Sequence, residues 1–299
     1  VTMLYLMLLV GMVIGALGFS LLLEPFSYFR LIQVIQGSAL VVAGLNIVAM
    51  WQMEPRRPDL TSFELSRPSF GQSWRALSKN PGAHRLLIAV ALGTLGFSMQ
   101  EILLEPYGAE VLAMSVSQTT RLTAIFAGGM LIAMALSARY LGRGGEPIRL
   151  AAYGAVVGVF AFAAVIMAGA FDSLTLFAAG TLLIGIGNGL FAVGTLTAAM
   201  LLAGTATAGL VIGTWGAVQA TAVGCAVFLG GALRDMTEAL IQGGMISQQL
   251  SGPATPYGAV YHLEIIILFA SLVALGPLVR RLGNDKDQPL TMKLADFPS

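Results

Sequence analysis

Apolar runs long enough to cross a bilayer recur along almost the whole chain. Windows of about 20 residues, the helix length that spans the hydrocarbon core, predict eight transmembrane helices. They lie at residues 3–23, 31–51, 86–104, 120–140, 149–169, 174–200, 209–231 and 260–279. Inside lipid a helix satisfies its own backbone hydrogen bonds. The pattern therefore predicts an all-α, polytopic membrane bundle.

One long polar interval, residues 52–85, interrupts the apolar pattern and is rich in Pro, Ser and Arg. If this linker lies in the cytoplasm, strict alternation of the eight spans places 13 of the 16 Lys and Arg residues on the same side. Cytoplasmic loops of membrane proteins carry an excess of basic residues. The charge pattern thus favours a cytoplasmic linker and a cytoplasmic C-terminus.

The linker divides the predicted spans unequally, with two before it and six after it. Two six-helix halves build the major facilitator fold. We therefore predict a partial N-terminal half at 1–51, the linker at 52–85, a complete C-terminal half at 86–281 and a cytoplasmic tail at 282–299. On this interpretation the two early spans are the last two of a first half, and about four helices that would precede them are missing.

Composition supports the membrane class and excludes others. Hydrophobic residues make up 57% of the chain and charged residues 10%, with a mean hydropathy of +0.82. A net charge of +1 without a dense basic tract argues against nucleic-acid binding. The single cysteine, Cys225, excludes an internal disulfide and a thiolate metal site. Neither a phosphate loop nor a catalytic triad is visible, so the sequence predicts a protein that is not an enzyme.

Four glycine pairs have the spacing that lets transmembrane helices approach closely. They are Gly11–Gly15, Gly154–Gly158, Gly185–Gly189 and Gly209–Gly213. With 36 glycines in the chain, some pairs at this spacing arise by chance. The motif alone leaves both interpretations open for each pair.

The stretch MQEILLEPYGAEV, residues 99–111, places two acids inside an apolar run. A helix that begins at Leu86 would carry Glu101 about 22 Å and Glu105 about 28 Å into a core of about 30 Å. Four-residue spacing would place both carboxylates, with Gln100 nearby, on one helix face. If both acids are interfacial, Pro106 and Gly108 would end that helix.

An acid at such depth is costly and is expected to face protein, a cavity or a partner. Either the two carboxylates are interfacial and reach toward headgroups, or they form a site. As a site they could bind a proton, accept hydrogen bonds from a partner helix, or ligate a hard cation such as the magnesium of a chlorin.

Weaker candidates lie on the later spans. Asn188 in GIGNGLF, and Trp215 with Gln219 in GTWGAVQ, are expected to hydrogen-bond across helices or to line a site. His262 at the mouth of the last span is the remaining candidate ligand, although an interfacial position is the simpler interpretation. No His, Cys or Asp pair has the spacing of a metal centre, and the sequence predicts no protein-bound metal.

Several segments resemble the PucC/LhaA family, a bacteriochlorophyll-linked branch of the major facilitator superfamily. The resemblance rests on QEILLEPYGAEVLAMSVSQTTRLTA (100–124), GLFAVGTLTAAM (189–200), GTWGAVQATAVGCAVFLGG (213–231) and TPYGAVYHLEIIILFASLVAL (255–275). The EPYG element is its most specific part. By position, the resemblance assigns Glu101, Glu105, Pro106, Tyr107 and Gly108 to the characteristic element of the family.

This resemblance implies a factor that assists assembly of light-harvesting antenna complexes in purple bacteria. It implies bacteriochlorophyll as the pigment, with carotenoid as a further candidate, and the intracytoplasmic photosynthetic membrane as the location. Expected partners are antenna polypeptides, the reaction-centre core complex, membrane lipid, bacteriochlorophyll synthase and the insertion machinery.

Two other functions stay open, a proton-coupled secondary transporter that uses Glu101 and a structural subunit of a photosynthetic complex. The loop LSARYLGRGG (136–145) resembles the facilitator cytoplasmic motif, but Ala138 stands where that motif has an acid and Leu141 looks inserted. This departure disfavours the transporter.

Overall fold

The computed structural model describes residues 2–24, 27–51, 81–202, 208–245 and 252–283. Within those ranges the chain is helical and contains no β-strand, which confirms the predicted fold class. The helices are α1 (Thr2–Leu22), α2 (Tyr28–Trp51), α3 (Pro81–Ser98), a 3-10 helix (Met99–Ile102), α4 (Leu104–Val111), α5 (Val116–Gly142), α6 (Pro147–Ala170), α7 (Leu174–Leu202), α8 (Ala208–Gln242) and α9 (Thr255–Gly283).

Seven helical segments among the described residues are long and apolar enough to span a membrane. They belong to α2, α3 with its 3-10 turn, and α5 to α9. The remaining predicted span, 3–23, corresponds to α1, a 21-residue helix at Thr2–Leu22. Within α1 the apolar stretch found among the described residues is Leu9–Leu22.

Several helices continue past their predicted ends. Helix α3 begins at Pro81, within the predicted linker, and α8 runs on to Gln242. Helix α9 begins at Thr255 and reaches Gly283. Hydropathy windows detect only the hydrocarbon core, whereas helices extend into the polar interface. Residues 52–80 of the predicted linker and 284–299 of the predicted tail lie outside the described residues.

Short connections with defined end chemistry join the central helices. Ser115 and Gln118 form a capping box at the start of α5, each side chain bonding the other residue's backbone N–H. Pro147 occupies the first turn of α6, where its missing N–H costs nothing. Gly144 adopts a φ of +81° in the turn between α5 and α6. The capping box thus defines where α5 begins. Gly144 and Pro147 form the tight turn that joins the end of α5 to the start of α6.

Helix α7 lies at the centre of the bundle, with α6 on one side and α5 on the other. Helix α9 packs on α3 and α6, and α8 packs on α3. At the other edge α1 contacts α5 through polar groups. The Ser20 hydroxyl donates to the Ser117 carbonyl at 2.9 Å, and Arg121 Nε donates to Ser20 Oγ at 3.0 Å. Helix α2 exposes its side chains along its length.

The distance from each glycine to the facing helix shows which of the four glycine pairs lie at helix contacts. A Cβ on Gly154 would lie 2.6 Å from the Gly187 carbonyl oxygen, and one on Gly189 would lie 2.6 Å from the Ala133 Cβ. These distances confirm Gly154–Gly158 and Gly185–Gly189 as contact motifs. In contrast, no described residue has an atom within 4 Å of a Cβ built on either glycine of the other two pairs, Gly11–Gly15 and Gly209–Gly213.

Candidate functional site

The predicted helix over 86–104 is interrupted beside the acidic pair. Helix α3 ends at Ser98, one 3-10 turn follows, and α4 begins at Leu104. At this break, defined as Met99–Leu103, the backbone N–H of Gln100 donates to Glu264 Oε1 of α9 at 2.7 Å. A continuous α-helix would direct that N–H at the carbonyl four residues earlier. The prediction of one continuous helix was wrong because a side chain from α9 bonds to the backbone there.

Glycines let the neighbouring helices reach the α3 break. A Cβ on Gly230 of α8 would lie 2.7 Å from the Met99 carbonyl oxygen. A Cβ on Gly96 would lie 3.3 Å from the Glu264 carbonyl oxygen and 3.1 Å from the Leu268 side chain. Larger residues at Gly96 or Gly230 would push α9 or α8 away from the break.

Two buried polar side chains, Gln100 and Glu264, lie at the centre of the break, and the sequence analysis did not single out Glu264. Glu264 is 0% exposed and Gln100 2% exposed. Three buried side-chain oxygens, Gln100 Oε1, Glu264 Oε2 and Tyr261 Oη, have no hydrogen-bond partner among the described residues. Within the same ranges no Lys, Arg or His forms an ion pair with Glu264. Such unpaired burial is costly for a carboxyl group.

Tyr107 of the EPYG element is a core residue at 1% exposure. Its ring packs edge-on against Tyr257 and Tyr261, with centroids 5.4 and 5.5 Å away, and at 5.3 Å from Phe177. Its hydroxyl donates to the Val165 carbonyl at 3.3 Å. The side chain thus joins α4 to α6, α7 and α9.

Gly108 supports this packing, because a Cβ there would lie 2.9 Å from Met114 Sδ and 3.2 Å from the Phe177 ring. Pro106 is exposed and lies in the first turn of α4, where proline is tolerated. The prediction that Pro106 and Gly108 end a helix was therefore wrong, since both lie inside α4.

Beyond Tyr107, an ionic cluster fixes the far end of α4. The Tyr257 hydroxyl donates to Glu110 Oε2 at 2.6 Å, and Arg234 Nη2 of α8 approaches the same oxygen at 3.2 Å. The Arg234 guanidinium also lies 5.2 Å from the Tyr257 ring centroid. This cluster connects α4, α8 and α9.

Glu101 and Glu105 are both exposed on the described surface. Glu101 lies in the 3-10 turn and Glu105 in α4, so the two acids are not on one continuous α-helix. Thr123 of α5 donates its hydroxyl to Glu105 Oε1 at 2.8 Å, whereas Glu101 is more than a third accessible. At the α3 break the two carboxylates are thus exposed while the neighbouring Gln100 is buried.

The candidates on α7 and α8 are half-buried. Trp215 Nε1 donates to Thr195 Oγ1 of α7 at 3.4 Å, which matches the predicted interhelical role. Asn188 lies two turns before Thr195 on α7, and Gln219 lies one turn after Trp215 on α8. These residues follow the α7–α8 side of the bundle and make no recorded hydrogen bond to the acidic pair among the described residues.

His262 is exposed on α9, and its Nδ1 lies 2.6 Å from the Gly258 carbonyl oxygen. A carbonyl only accepts hydrogen bonds, so in the neutral ring Nδ1 carries the proton and Nε2 the lone pair. This tautomer is the one that second-shell carbonyls fix in metal-ligating histidines. The apolar residues Ile266, Phe269 and Val273 continue the same exposed face of α9.

Of the candidates, the structure brings together Gln100, Tyr107 and Gly108 in the core, and Glu101, Glu105 and Pro106 on the surface beside them. Sequence reasoning missed Glu264, Tyr261, Glu110 and Arg234. A signal for Glu264 was present, because it is a single acid inside the apolar run HLEIIILF. The hydrogen-bond partner of Glu264, the Gln100 backbone in the 3-10 helix, was not deducible from sequence spacing.

Seven apolar spans with buried polar bonds between helices define a multi-pass membrane protein of the helical-bundle class. Comparison with known proteins assigns the family. The family model described as "PUCC protein" matches residues 1–283. The chain therefore belongs to the PUCC family.

Named relatives agree with this assignment. "Protein PucC" of Cereibacter sphaeroides is 45% identical over 282 residues, which cover 94% of this chain and 60% of that protein. "Protein PucC" of Rhodobacter capsulatus is 43% identical over 95% of this chain and 61% of that protein. "Bacteriochlorophyll synthase 44.5 kDa chain" of Rhodobacter capsulatus is 27% identical over 94% of this chain and 64% of that protein. The chain thus spans about 60% of the length of these relatives.

Proposed function

We propose that this protein assists assembly of light-harvesting antenna complexes in the intracytoplasmic photosynthetic membrane of a purple bacterium. The observation that carries the proposal is family membership over residues 1–283, with 45% identity to a protein named PucC. The proposed partners are antenna polypeptides, the reaction-centre core complex, bacteriochlorophyll synthase and the insertion machinery. We also propose a facilitator-like arrangement in which the linker, the C-terminus and the tail are cytoplasmic, as the basic-residue pattern favours.

The finer proposal is that the protein binds or delivers bacteriochlorophyll, with carotenoid as a second pigment. Such a pigment would present a magnesium ion that takes a protein ligand and an apolar ring that takes apolar contacts. Two exposed groups fit that ion. One is the Glu101 carboxylate, an oxygen ligand of the kind magnesium prefers. The other is His262 Nε2, whose lone pair is fixed by the Gly258 contact.

Glu101 and His262 differ in the apolar surface beside them that could contact the ring and tail of the pigment. Ile266, Phe269 and Val273 are 62%, 53% and 75% exposed and extend below His262 along α9. At the other site Ile102, 44% exposed, adjoins Glu101, and the neighbouring Glu105 is held by Thr123. The α9 face offers more apolar contact, whereas the α3 break offers more oxygen atoms.

Mild purification from a phototrophic host tests the proposal. Near-infrared absorption detects bound bacteriochlorophyll, and mass spectrometry identifies co-purifying polypeptides. We expect both pigment and antenna polypeptides in the purified sample. A sample that lacks both would contradict the proposal, and antenna polypeptides without pigment would contradict only the pigment-binding part.

Single variants then separate the two ligand positions. We expect His262→Leu or Glu101→Gln to lower the pigment content, according to which group holds magnesium. His84→Leu is the matched control, because His84 is also an exposed histidine but lies in the first turn of α3. Equal pigment content in all three variants would remove both groups as ligands.

Three other functions are outcomes of the same study. Substrate accumulation in vesicles that is lost in Glu101→Gln, with normal antenna levels, would favour a proton-coupled transporter. Fixed stoichiometry in a photosynthetic complex without pigment of its own would favour a structural subunit. Turnover of a bacteriochlorophyll precursor by the purified protein would contradict the prediction of a non-enzyme, which the 27% identity to the synthase chain makes worth measuring.

A further inference from the structure

We propose that the turn between α5 and α6 binds the headgroup of an anionic phospholipid, and that Arg139 and Arg143 hold its phosphate. The turn, residues 143–146, joins two full-length apolar spans. Helix α5 has 27 residues, about 40 Å of helix against a hydrocarbon core of about 30 Å, so its last turn extends to the level of the headgroups. This site uses none of the pigment-ligand candidates and does not depend on the proposed function.

Positive charge exceeds negative charge at this turn. Arg139, Arg143 and Arg149 are all exposed. Glu146 is the one acid in the sequence between residues 136 and 153, and its Oε2 pairs with Arg149 Nε at 2.5 Å. Within the described ranges neither Arg139 nor Arg143 forms an ion pair. Two guanidinium groups are therefore left to bind an anion.

The backbone of the turn fixes where these two arginines lie. The N–H groups of Arg143 and Gly145 both donate to the Tyr140 carbonyl, at 3.3 and 3.0 Å. Gly144 has a φ of +81°, and a Cβ on Gly145 would overlap the Tyr140 ring, so both positions suit glycine. Arg143 caps α5 four residues after Arg139, which places the two side chains on one side of the helix end. Arginines so placed can share one phosphate, which a guanidinium binds through paired N–H bonds.

Surfaces that suit the rest of a phospholipid continue from the turn. The rings of Tyr140 and Tyr153 meet edge-on at 6.1 Å, and Tyr153 is 52% exposed. Tyrosine is enriched at the headgroup level, where its ring contacts lipid and its hydroxyl reaches polar groups. One turn deeper, Leu136 on α5 and Val156 on α6 are 48% and 40% exposed, where acyl chains would lie. This apolar continuation favours a lipid over a free phosphate or an acidic polypeptide.

Native mass spectrometry of the detergent-purified protein tests the lipid selectivity. A zwitterionic headgroup carries an ammonium that the arginines repel, so the wild type should retain phosphatidylglycerol in preference to phosphatidylcholine. Replacing Arg139 and Arg143 by Gln should weaken this retention by about five- to tenfold per arginine. Arg85→Gln is the matched control, because Arg85 is another exposed arginine, near the start of α3.

Two results of this measurement would overturn the proposal. One is equal retention of both lipids by the wild type. The other is equal retention of phosphatidylglycerol by the double variant and by Arg85→Gln. The unfolding temperature of the double variant in lipid-free detergent should match that of the wild type, which separates lost binding from a lost fold.

Labelling of the wild type with an arginine-selective dicarbonyl reagent gives a readout that needs no variant. We expect phosphatidylglycerol to protect Arg139 and Arg143, while Arg85 stays reactive and phosphatidylcholine protects none of them. Equal protection by inorganic phosphate would show a simple anion site. Protection by a co-purified polypeptide without lipid would show a protein partner. Either result would overturn the proposal.

Discussion

Helices α6 and α7, which pack on each other, are similar to helix α2 in hydropathy but differ from it in how much of each helix is buried. The spans of α6 and α7 have mean hydropathies of 2.3 and 1.9, and that of α2 has 1.8. Yet 44% and 56% of the α6 and α7 windows are buried, against 0% for α2. Lipid tails are as apolar as leucine, so hydropathy cannot distinguish a lipid-facing helix from a packed one.

Glycines explain this difference in burial only where both helices of a pair place a glycine at their contact. Gly154 and Gly187 lie opposite each other, and a Cβ on either would meet the backbone of the other helix. For Gly37 and Gly44 of α2, the described part of the chain places no atom within 4 Å of such a Cβ. The comparison teaches that a glycine pair becomes a contact through its partner and not through its own spacing.

The strongest way to break the packed region is Gly154→Leu. Its Cβ would lie 2.6 Å from the Gly187 oxygen and from the Phe191 nitrogen, and backbone atoms cannot move aside as side chains do. We expect a loss beyond the about 1–3 kcal/mol of ordinary overpacking, with little monodisperse protein on size exclusion. Gly213→Leu, which adds the same side chain in open space, is the matched control. Equal yields of the two variants would contradict the contact.

Truncating Tyr107 should have the next largest effect. Tyr107→Ala removes a 1% exposed ring from contacts with Phe177, Tyr257 and Tyr261, which we expect to cost about 3–5 kcal/mol. Tyr107→Phe removes only the bond to the Val165 carbonyl and should cost about 1 kcal/mol. Thermal unfolding in mild detergent separates them. If Tyr107→Phe were as damaging as Tyr107→Ala, the hydroxyl and not the ring would carry the role.

The polar contact between α1 and α5 should matter less. Ser20→Ala removes the bond to the Ser117 carbonyl and the acceptor for Arg121, and we expect a loss of about 1–2 kcal/mol. Ser38→Ala on α2 is the matched control, since that hydroxyl bonds only its own helix at the Ile35 carbonyl. Thermal unfolding should place Ser20→Ala below this control, and equal midpoints would contradict a specific α1–α5 contact.

The smallest effect on stability is expected at the surface acids. Glu101→Gln and Glu105→Gln change exposed side chains, so each should alter the unfolding free energy by no more than about 0.5 kcal/mol. Glu105→Gln should lie at the upper end, because Thr123 donates to that carboxylate. Unfolding midpoints of the two variants check this order. A large loss in Glu101→Gln would mean that Glu101 is a structural residue and not an accessible ligand.

Hydropathy predicted the helices well because lipid imposes one rule on every span. The centres of all the later spans coincide with observed helices, including α5, α6 and α7. What hydropathy could not predict was the α3 break, since its cause, the Glu264 side chain, lies 164 positions further along the chain. The residues around the break do not themselves indicate this contact with α9.

The candidate site was predicted in part for the same reason. The EPYG region does hold buried and exposed polar groups side by side, as the rare acids indicated. Periodicity placed Glu101 and Glu105 on one continuous α-helix, but a 3-10 turn lies between α3 and α4. Tyr107, expected from the resemblance as part of a characteristic element, is the core residue that attaches α4 to three other helices.

The interruption between α3 and α4 has a mechanical consequence. Glu101 and Glu105 lie on the two sides of Leu103, and a different contact holds the backbone on each side. On one side Glu264 of α9 bonds the Gln100 N–H, and on the other Tyr107 attaches α4 to α6, α7 and α9. The separation of the two carboxylates therefore depends on how these helices pack and not on the four-residue spacing alone.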